Sequence, residues 1–404
     1  GTGLTYLLTR NVTKALAVLM VDFSCALKLA MPISVLSAIR EASSYNVTVK
    51  GGKYLEAMAE ADTIVFDKTG TLTKAQPTVV DVVPFCDKTP DELLRIGACL
   101  EEHFPHSMAK AVVNAAQDKG LIHEEFHSKV EYIVAHGISS KINDQKVVVG
   151  SYHFVFEDEE SQIPEGMEEK FQELPSEYSH LYMAIEGKLA AVICIEDPLR
   201  EEAPQIIKNL KSAGISKVVM MTGDSDRTAK AIAKRVGVDV YYSEVLPEDK
   251  ANFVEQEKAA GRKVIMIGDG INDSPALSAA DIGIAISDGA EIAREIADVT
   301  MSGDDLSEIV TLKLISNKLM KRIHKNYRNI VGFNTALIIL GVTGILQPTV
   351  SALLHNTSTL YISLKSMENL LEEETECFAF LAGHESFAAA EGAIKIAAKA
   401  DKVR

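Results

Sequence analysis

The stretch Thr63–Thr73, "TIVFDKTGTLT", decides the fold. A short apolar and β-branched run ends in an aspartate, and a loop with a glycine follows at once. Such a run, bounded by turn residues, reads as a buried strand. The pattern recurs downstream as "KVVMMTGD" at Lys217–Asp224, "KVIMIGDG" at Lys263–Gly270 and "DIGIAI" at Asp281–Ile286. Helical stretches, Arg200–Ala213 and Arg227–Val236 among them, separate these runs. Strands alternating with helices predict a parallel sheet covered by helices. The polar residues collect at the carboxyl ends of the strands, where such sheets place their sites.

Working outward, Phe85–Gly187 interrupts the alternation after the first strand and reads as an inserted domain. A chain of 404 residues has room for two or three domains. Its formal net charge of −16 argues against a nucleic-acid partner, which calls for a basic face. Charge is unevenly spread. Glu157–Glu177 is crowded with acids and reads as a solvated surface, whereas Thr311–Ile330 holds Lys313, Lys318, Lys321, Arg322, Lys325 and Arg328 and no acid. The five cysteines form no C-x-x-C pair, which indicates neither a disulfide framework nor a classical zinc finger.

Three apolar segments are expected to span a membrane: Ala15–Ile39, Asn329–Leu346 and Pro348–Met367. About 20 residues suffice for a crossing. The basic run before Asn329 fits a cytoplasmic flank. The chain starts at Gly1, and "GTGLTYLLT" reads as the tail of an apolar helix, so a fragment is expected. The tail beyond residue 371 is acidic and then alanine-rich, and it gives no reading.

The strand ends carry the parts for phosphoryl transfer. Asp67 is placed to act as a nucleophile and become an aspartyl phosphate. Asp269 and Asp273, in "GDGINDSP", are hard oxygen ligands suited to Mg²⁺. Thr222 and Asp224, with Lys250 of "PEDK", are placed to hold the phosphoryl oxygens and offset their charge.

Together DKTGTLT, TGD and GDGIND resemble the phosphorylation domain of P-type ATPases, within the haloacid dehalogenase superfamily. The resemblance adds Lys68 and Thr69 to the catalytic set. Soluble phosphatases of that superfamily carry a second acid where this chain has Thr69. The Thr69 carbonyl is implied as a Mg²⁺ ligand, and the missing acid would let the phosphoenzyme persist. In the insertion, "EEHFPHSMAKAVV" at Glu101–Val113 and "VAHGISS" at Val134–Ser140 are similar to the signatures of heavy-metal pumps, the P1B subfamily. The resemblance assigns the adenine end of ATP to Glu102, His106 and Gly137. Two departures are Ser107, where proline is usual, and Ala135, where the first glycine is usual.

The resemblance implies a multidomain membrane protein: an α/β phosphorylation domain with an inserted α+β nucleotide-binding domain, flanked by transmembrane helices. The expected divisions are 1–39 (helix with an ion-site motif), 40–84 (link and first part of the phosphorylation domain), 85–187 (nucleotide-binding domain), 188–310 (phosphorylation domain), 311–371 (membrane hairpin) and 372–404 (cytosolic tail). It further implies ATP and Mg²⁺ as substrate and cofactor, and a bacterial plasma membrane with the catalytic domains cytoplasmic.

In heavy-metal pumps the helix before the phosphorylation domain carries a Cys-Pro-Cys-type ion site. Here Phe23, Ser24 and Cys25 stand there, with Asp22 beside them. Pro32 frees the carbonyl of Lys28 and is expected to loosen the helix. His355 and Asn356 of "HNTST" are the further expected ligands. One thiol with a carboxylate, an imidazole and an amide suits a divalent ion of the Mn, Zn, Co or Fe class better than Cu⁺. No Thr-Gly-Glu occurs in the chain, so the actuator part is expected upstream of Gly1. The function expected is ATP-driven transport, in the sense of efflux, of such an ion. The rivals are a membrane-tethered phosphatase and a non-enzymatic metal-binding membrane scaffold.

Overall fold

The computed structural model describes residues 1–74, 76–102, 107–121, 131–133, 137–142, 144–176, 178–268, 273–286, 295–301 and 305–371. They form two compact units, Ala61–Leu306 and Gly1–Glu60 with the segment from Ser307 onward.

The first unit is built on the expected parallel sheet. Its strands lie in the order Val299–Met301, Ile282–Ile286, Val264–Gly268, Thr63–Asp67, Lys217–Met221 and Val240–Tyr242. Every residue of the three strands Thr63–Asp67, Val264–Gly268 and Ile282–Ile286 is buried. Coverage on both faces explains why these strands read as unbroken apolar runs, not as alternating ones. Val65 lies opposite Val219 on one side and Met266 on the other. Asp67 ends level with Met221, so the loops after three adjacent strands meet at one edge.

A second sheet in this unit is antiparallel, in the order Thr78–Pro84, Lys188–Glu196, Ser179–Ile185, Gln145–Gly150, Gly137–Ile142 and Glu131–Ile133. Thr78–Pro84 and Lys188–Glu196, which flank the 85–187 insertion, pair with each other here. Helices Pro90–Glu101 and Ser107–Asp118 cover one face through Leu93, Leu94 and Val112 against Met183 and Ile193. The first starts with a capping box in which Thr89 and Glu92 satisfy each other's backbone N–H groups. Phe85, Phe154, Tyr182 and Val192 fill the other face.

The remaining unit is helical: Thr2–Thr9, Val12–Leu19, Phe23–Ser44, Gly52–Glu60, Ser307–Thr343 and Pro348–Lys365. The membrane-span expectation changes here. Among the described residues no helix is long and apolar enough to cross a membrane. The Ala15–Ile39 stretch is split between two helices, with the break just before Phe23 and Asp22 in it. Aspartate favours the position before a helix over its interior. The basic residues Lys313 to Arg328 lie within the first two thirds of Ser307–Thr343, and Pro348–Lys365 carries His355 to Thr359 at its middle. The helix of Pro32 runs on through it to Ser44. A different feature survives: Leu4, Leu7, Leu8, Leu19, Leu36, Ile339, Ile345, Leu353 and Leu360 are large apolar side chains left exposed.

Candidate active site

At the carboxyl edge of the parallel sheet, Asp67 closes its strand as a buried carboxylate. The chain then turns within Lys68–Leu72, where Gly70 takes φ +72°, a left-handed conformation natural to glycine. The Gly70 N–H donates to Thr73 Oγ1 at 3.0 Å and fixes the loop.

Two charge clusters meet around Asp67. Lys250, from the first turn of helix Pro247–Ala259, donates to Asp67 Oδ1 and to Asp273 Oδ1, each at 2.8 Å. All three side chains are buried. Burial opposes the Lys250 charge, but the Asp67 and Asp273 carboxylates outweigh it and lift its pKa above the ordinary lysine value. In the second cluster Lys68 donates to Asp224 Oδ2 at 2.6 Å and to Ser179 Oγ at 3.1 Å. Thr222 Oγ1 donates to the same Asp224 oxygen at 2.8 Å. Burial disfavours both charges, yet the pair holds Lys68 above and Asp224 below their usual ranges. Ion pairing wins over desolvation on both partners.

Asp273 sits at the N-cap of helix Ser274–Ala279, and its approach depends on Gly268. A Cβ at Gly268 would lie 2.5 Å from Asp273 Oδ2. Asp67 and Asp273 thus converge on one positive centre, the Lys250 ammonium, and as hard oxygen donors the pair would suit a divalent ion such as Mg²⁺.

Asp67, Lys68, Thr69, Thr222, Asp224, Lys250 and Asp273 therefore all lie around one strand-end edge, as their order in the chain implied. Asp269 and His106 lie outside the described residues. Glu102 is exposed at the end of helix Pro90–Glu101. Gly137 begins its strand in tight packing: a Cβ would lie 2.3 Å from Phe154 and 2.5 Å from the Val149 carbonyl.

The ion-site candidates fall into separate pairs. The Cys25 thiol donates to Asp22 Oδ2 at 3.1 Å, both exposed. His355 is buried and bonds through Nδ1 to Asn334 Oδ1 at 3.1 Å, and Asn356 is exposed. Among the described residues no three His, Cys, Asp or Glu side chains gather as a metal cluster, so Asp22, Cys25 and His355 do not meet.

Three residues were missed in the sequence. Arg200 is buried, and its Nε donates to the carbonyls of Thr71 and Thr73 at 3.0 and 3.2 Å. Asp197 accepts from Thr73 Oγ1 at 2.6 Å. Both belong to "EDPLR", a polar cluster directly after an apolar strand, which was the available signal. Ser179 begins a strand and offered none.

A family model described as haloacid dehalogenase-like hydrolase matches residues 61–281, and one described as GGGtGRT protein matches residues 357–404. A zinc-exporting P-type ATPase of Mycobacterium marinum (strain ATCC BAA-535 / M) is 33% identical over 367 residues, 90% of this chain and 50% of that protein. A manganese-exporting P-type ATPase of Mycobacterium leprae (strain TN) gives the same identity and the same shares. A copper-exporting P-type ATPase of Bacillus subtilis (strain 168) is 34% identical over 358 residues, 88% of this chain and 44% of that protein. The chain thus spans about half the length of these relatives. Among solved structures, a zinc-transporting PIB-type ATPase in its E2.Pi state superposes with a TM-score of 0.63 at 28% identity, covering 86% of this chain and 56% of that one. The catalytic domain of the CPx-ATPase CopB-B gives 0.56 at 29% identity, covering 69% and 98%.

Proposed function

Because the chain belongs to the haloacid dehalogenase-like hydrolases, we propose that it is the catalytic part of a metal-transporting P-type ATPase that phosphorylates itself on Asp67. The observation that carries this is the convergence on Asp67 of two buried lysine–carboxylate clusters. A phosphatase would need an acid where Thr69 stands.

Asp67 attacks the γ-phosphorus of ATP. An Oδ–P bond forms, the bond to the bridging oxygen breaks, and ADP leaves with the electron pair. Lys250 keeps the Asp67 carboxylate aimed, since its ammonium is fixed from both sides. Lys68 and Thr222 face the developing phosphoryl charge, pre-oriented by Asp224. Mg²⁺, when bound, offsets the charge of the phosphoryl oxygens. Asp67, Asp273 and the Thr69 carbonyl, with Asp269, would hold it. Glu102, His106 and Gly137 are proposed for the adenine end of ATP.

The relatives named above export zinc, manganese or copper. The cargo proposed here is a divalent transition metal; Asp22 with Cys25, and His355 with Asn356, stand apart in this structure and are proposed as two half-sites that come together on the ion. The exposed leucines and isoleucines of the helical unit support contact with a bilayer, since apolar surface of that extent marks a membrane or partner face. Helices of this unit then lie in the membrane and the catalytic unit in the cytoplasm. The test is ATP hydrolysis by the complete protein under a panel of metals. Stimulation by Mn²⁺, Zn²⁺, Co²⁺ or Fe²⁺ supports the proposal, and stimulation by Cu⁺ alone or by no metal refutes it.

A further inference from the structure

Besides the Asp197 and Arg200 contacts after strand Lys188–Glu196, the segment that leads into strand Ser179–Ile185 brings the antiparallel sheet to the catalytic edge. Three contacts are made there. Arg227 Nη1 donates to the Gln172 carbonyl at 2.6 Å, and Thr228 Oγ1 donates to the Tyr178 carbonyl at 3.1 Å. Both donors lie in the first turn of helix Asp226–Val236, directly after Asp224. The third contact is different in kind, because it touches the catalytic machinery. Ser179 is buried, and its Oγ accepts from Lys68 Nζ at 3.1 Å. Ser179 also helps to hold the Asp224 pKa down, and Asp224 is the carboxylate that receives Lys68.

Lysine has three ammonium protons. Among the described residues two are taken, by Asp224 and by Ser179, which fixes the direction left for the third. Asp224 alone would leave the flexible lysine stem free to rotate about one bond, and the second acceptor removes that freedom. Asp224 and Thr222 belong to the parallel sheet's own edge, whereas Ser179 arrives on the other sheet. The orientation of Lys68 therefore depends on that sheet being docked.

We propose that Ser179 is a positioning residue through which docking of the inserted sheet sets the aim of Lys68 for phosphoryl transfer. Undocked, Lys68 keeps its ion pair but loses its second anchor. Arrival of the nucleotide-bearing sheet and readiness of the lysine become one event. This rests on the reading of Asp67 as the phosphorylated residue.

The experiment compares Ser179→Ala, Ser179→Thr and Thr228→Val in the full chain, with two readouts. The first is the rate of phosphoenzyme formation at saturating γ-labelled ATP, set against equilibrium ATP affinity. Ser179→Ala should slow labelling about tenfold, the lower range for a lost hydrogen bond to a charged group. ATP affinity should stay within about twofold, and Ser179→Thr should restore the rate because it returns the hydroxyl. Thr228→Val should also slow labelling, and less than additively with Ser179→Ala. The second readout is amide hydrogen exchange over residues 172–178, which should quicken in Ser179→Ala and Thr228→Val and needs no phosphorylation. Wild-type labelling by Ser179→Ala overturns the proposal. So does a joint loss of rate and affinity that threonine fails to rescue, or unchanged exchange. If the unaltered chain does not label, the function reading fails, and the exchange readout still decides the docking role.

Discussion

Replacing Lys250 by methionine keeps most of the stem volume and deletes the ammonium that Asp67 and Asp273 share. In the folded protein those carboxylates are each 2.8 Å from Lys250 Nζ, with side chains only 10% and 2% exposed. Removing one partner of a buried pair costs about 3–5 kcal/mol, because the buried carboxylates lose the counter-ion they share. Exposed pairs are worth about 1 kcal/mol or less, so burial decides the size of the effect. Against a total stability of about 5–15 kcal/mol the loss is large. The chain has 11 tyrosines and no tryptophan, so urea unfolding is followed by tyrosine emission. With a urea slope of about 1–3 kcal/mol/M, the midpoint should fall by about 1 M or more. Mg²⁺ should recover part of the loss, about 2.7 kcal/mol at a hundredfold excess over its dissociation constant. The recovery should exceed the gain that Mg²⁺ gives the unaltered chain. A Lys250→Met midpoint equal to that of the unaltered chain without Mg²⁺ refutes the shared-counter-ion reasoning.

Gly268→Ala should destabilise the chain by about 1–3 kcal/mol in the same unfolding assay and slow phosphoenzyme formation, since the new Cβ displaces Asp273. Asp224→Asn tests linkage: the native pKa of Asp224 lies below the unfolded value of about 3.9. Its stabilising contribution is thus present above that value and is lost as pH falls through the native pKa, so the asparagine variant should show a shallower acid limb in a stability–pH series. Cys25→Ala, Asp22→Asn and His355→Ala should each cut divalent-metal stimulation of ATP hydrolysis in the complete protein at least about tenfold while ATP affinity holds, about 1.4 kcal/mol per lost ligand as a lower bound.

Much of the catalytic edge was legible because a parallel sheet brings the ends of adjacent strands together by rule. Asp67, Thr222, Asp224 and Asp273 each follow an apolar run closely, and Lys250 lies in the first turn of helix Pro247–Ala259. Ser179 was not legible, since it meets Lys68 across 111 positions of chain and begins a strand of another sheet. Arg200 and Asp197 act on loop carbonyls and hydroxyls, and such bonds leave no spacing in the sequence. In the helical unit, apolar content alone suggested one span from Ala15 to Ile39, but periodicity carries no marker for the break before Phe23. The anchoring of the last described residues was equally silent: buried Glu41 accepts the Leu370 and Leu371 N–H groups at 2.6 and 2.7 Å.

The most direct measurement of the central claim is acid-quenched labelling of the chain with γ-labelled ATP and Mg²⁺, side by side with Asp67→Asn. The account predicts an acid-stable phosphoprotein that hydroxylamine cleaves, formed by the unaltered chain and absent from the asparagine variant, whose ATP binding is kept. Equal labelling of the two, or label that resists hydroxylamine, contradicts it.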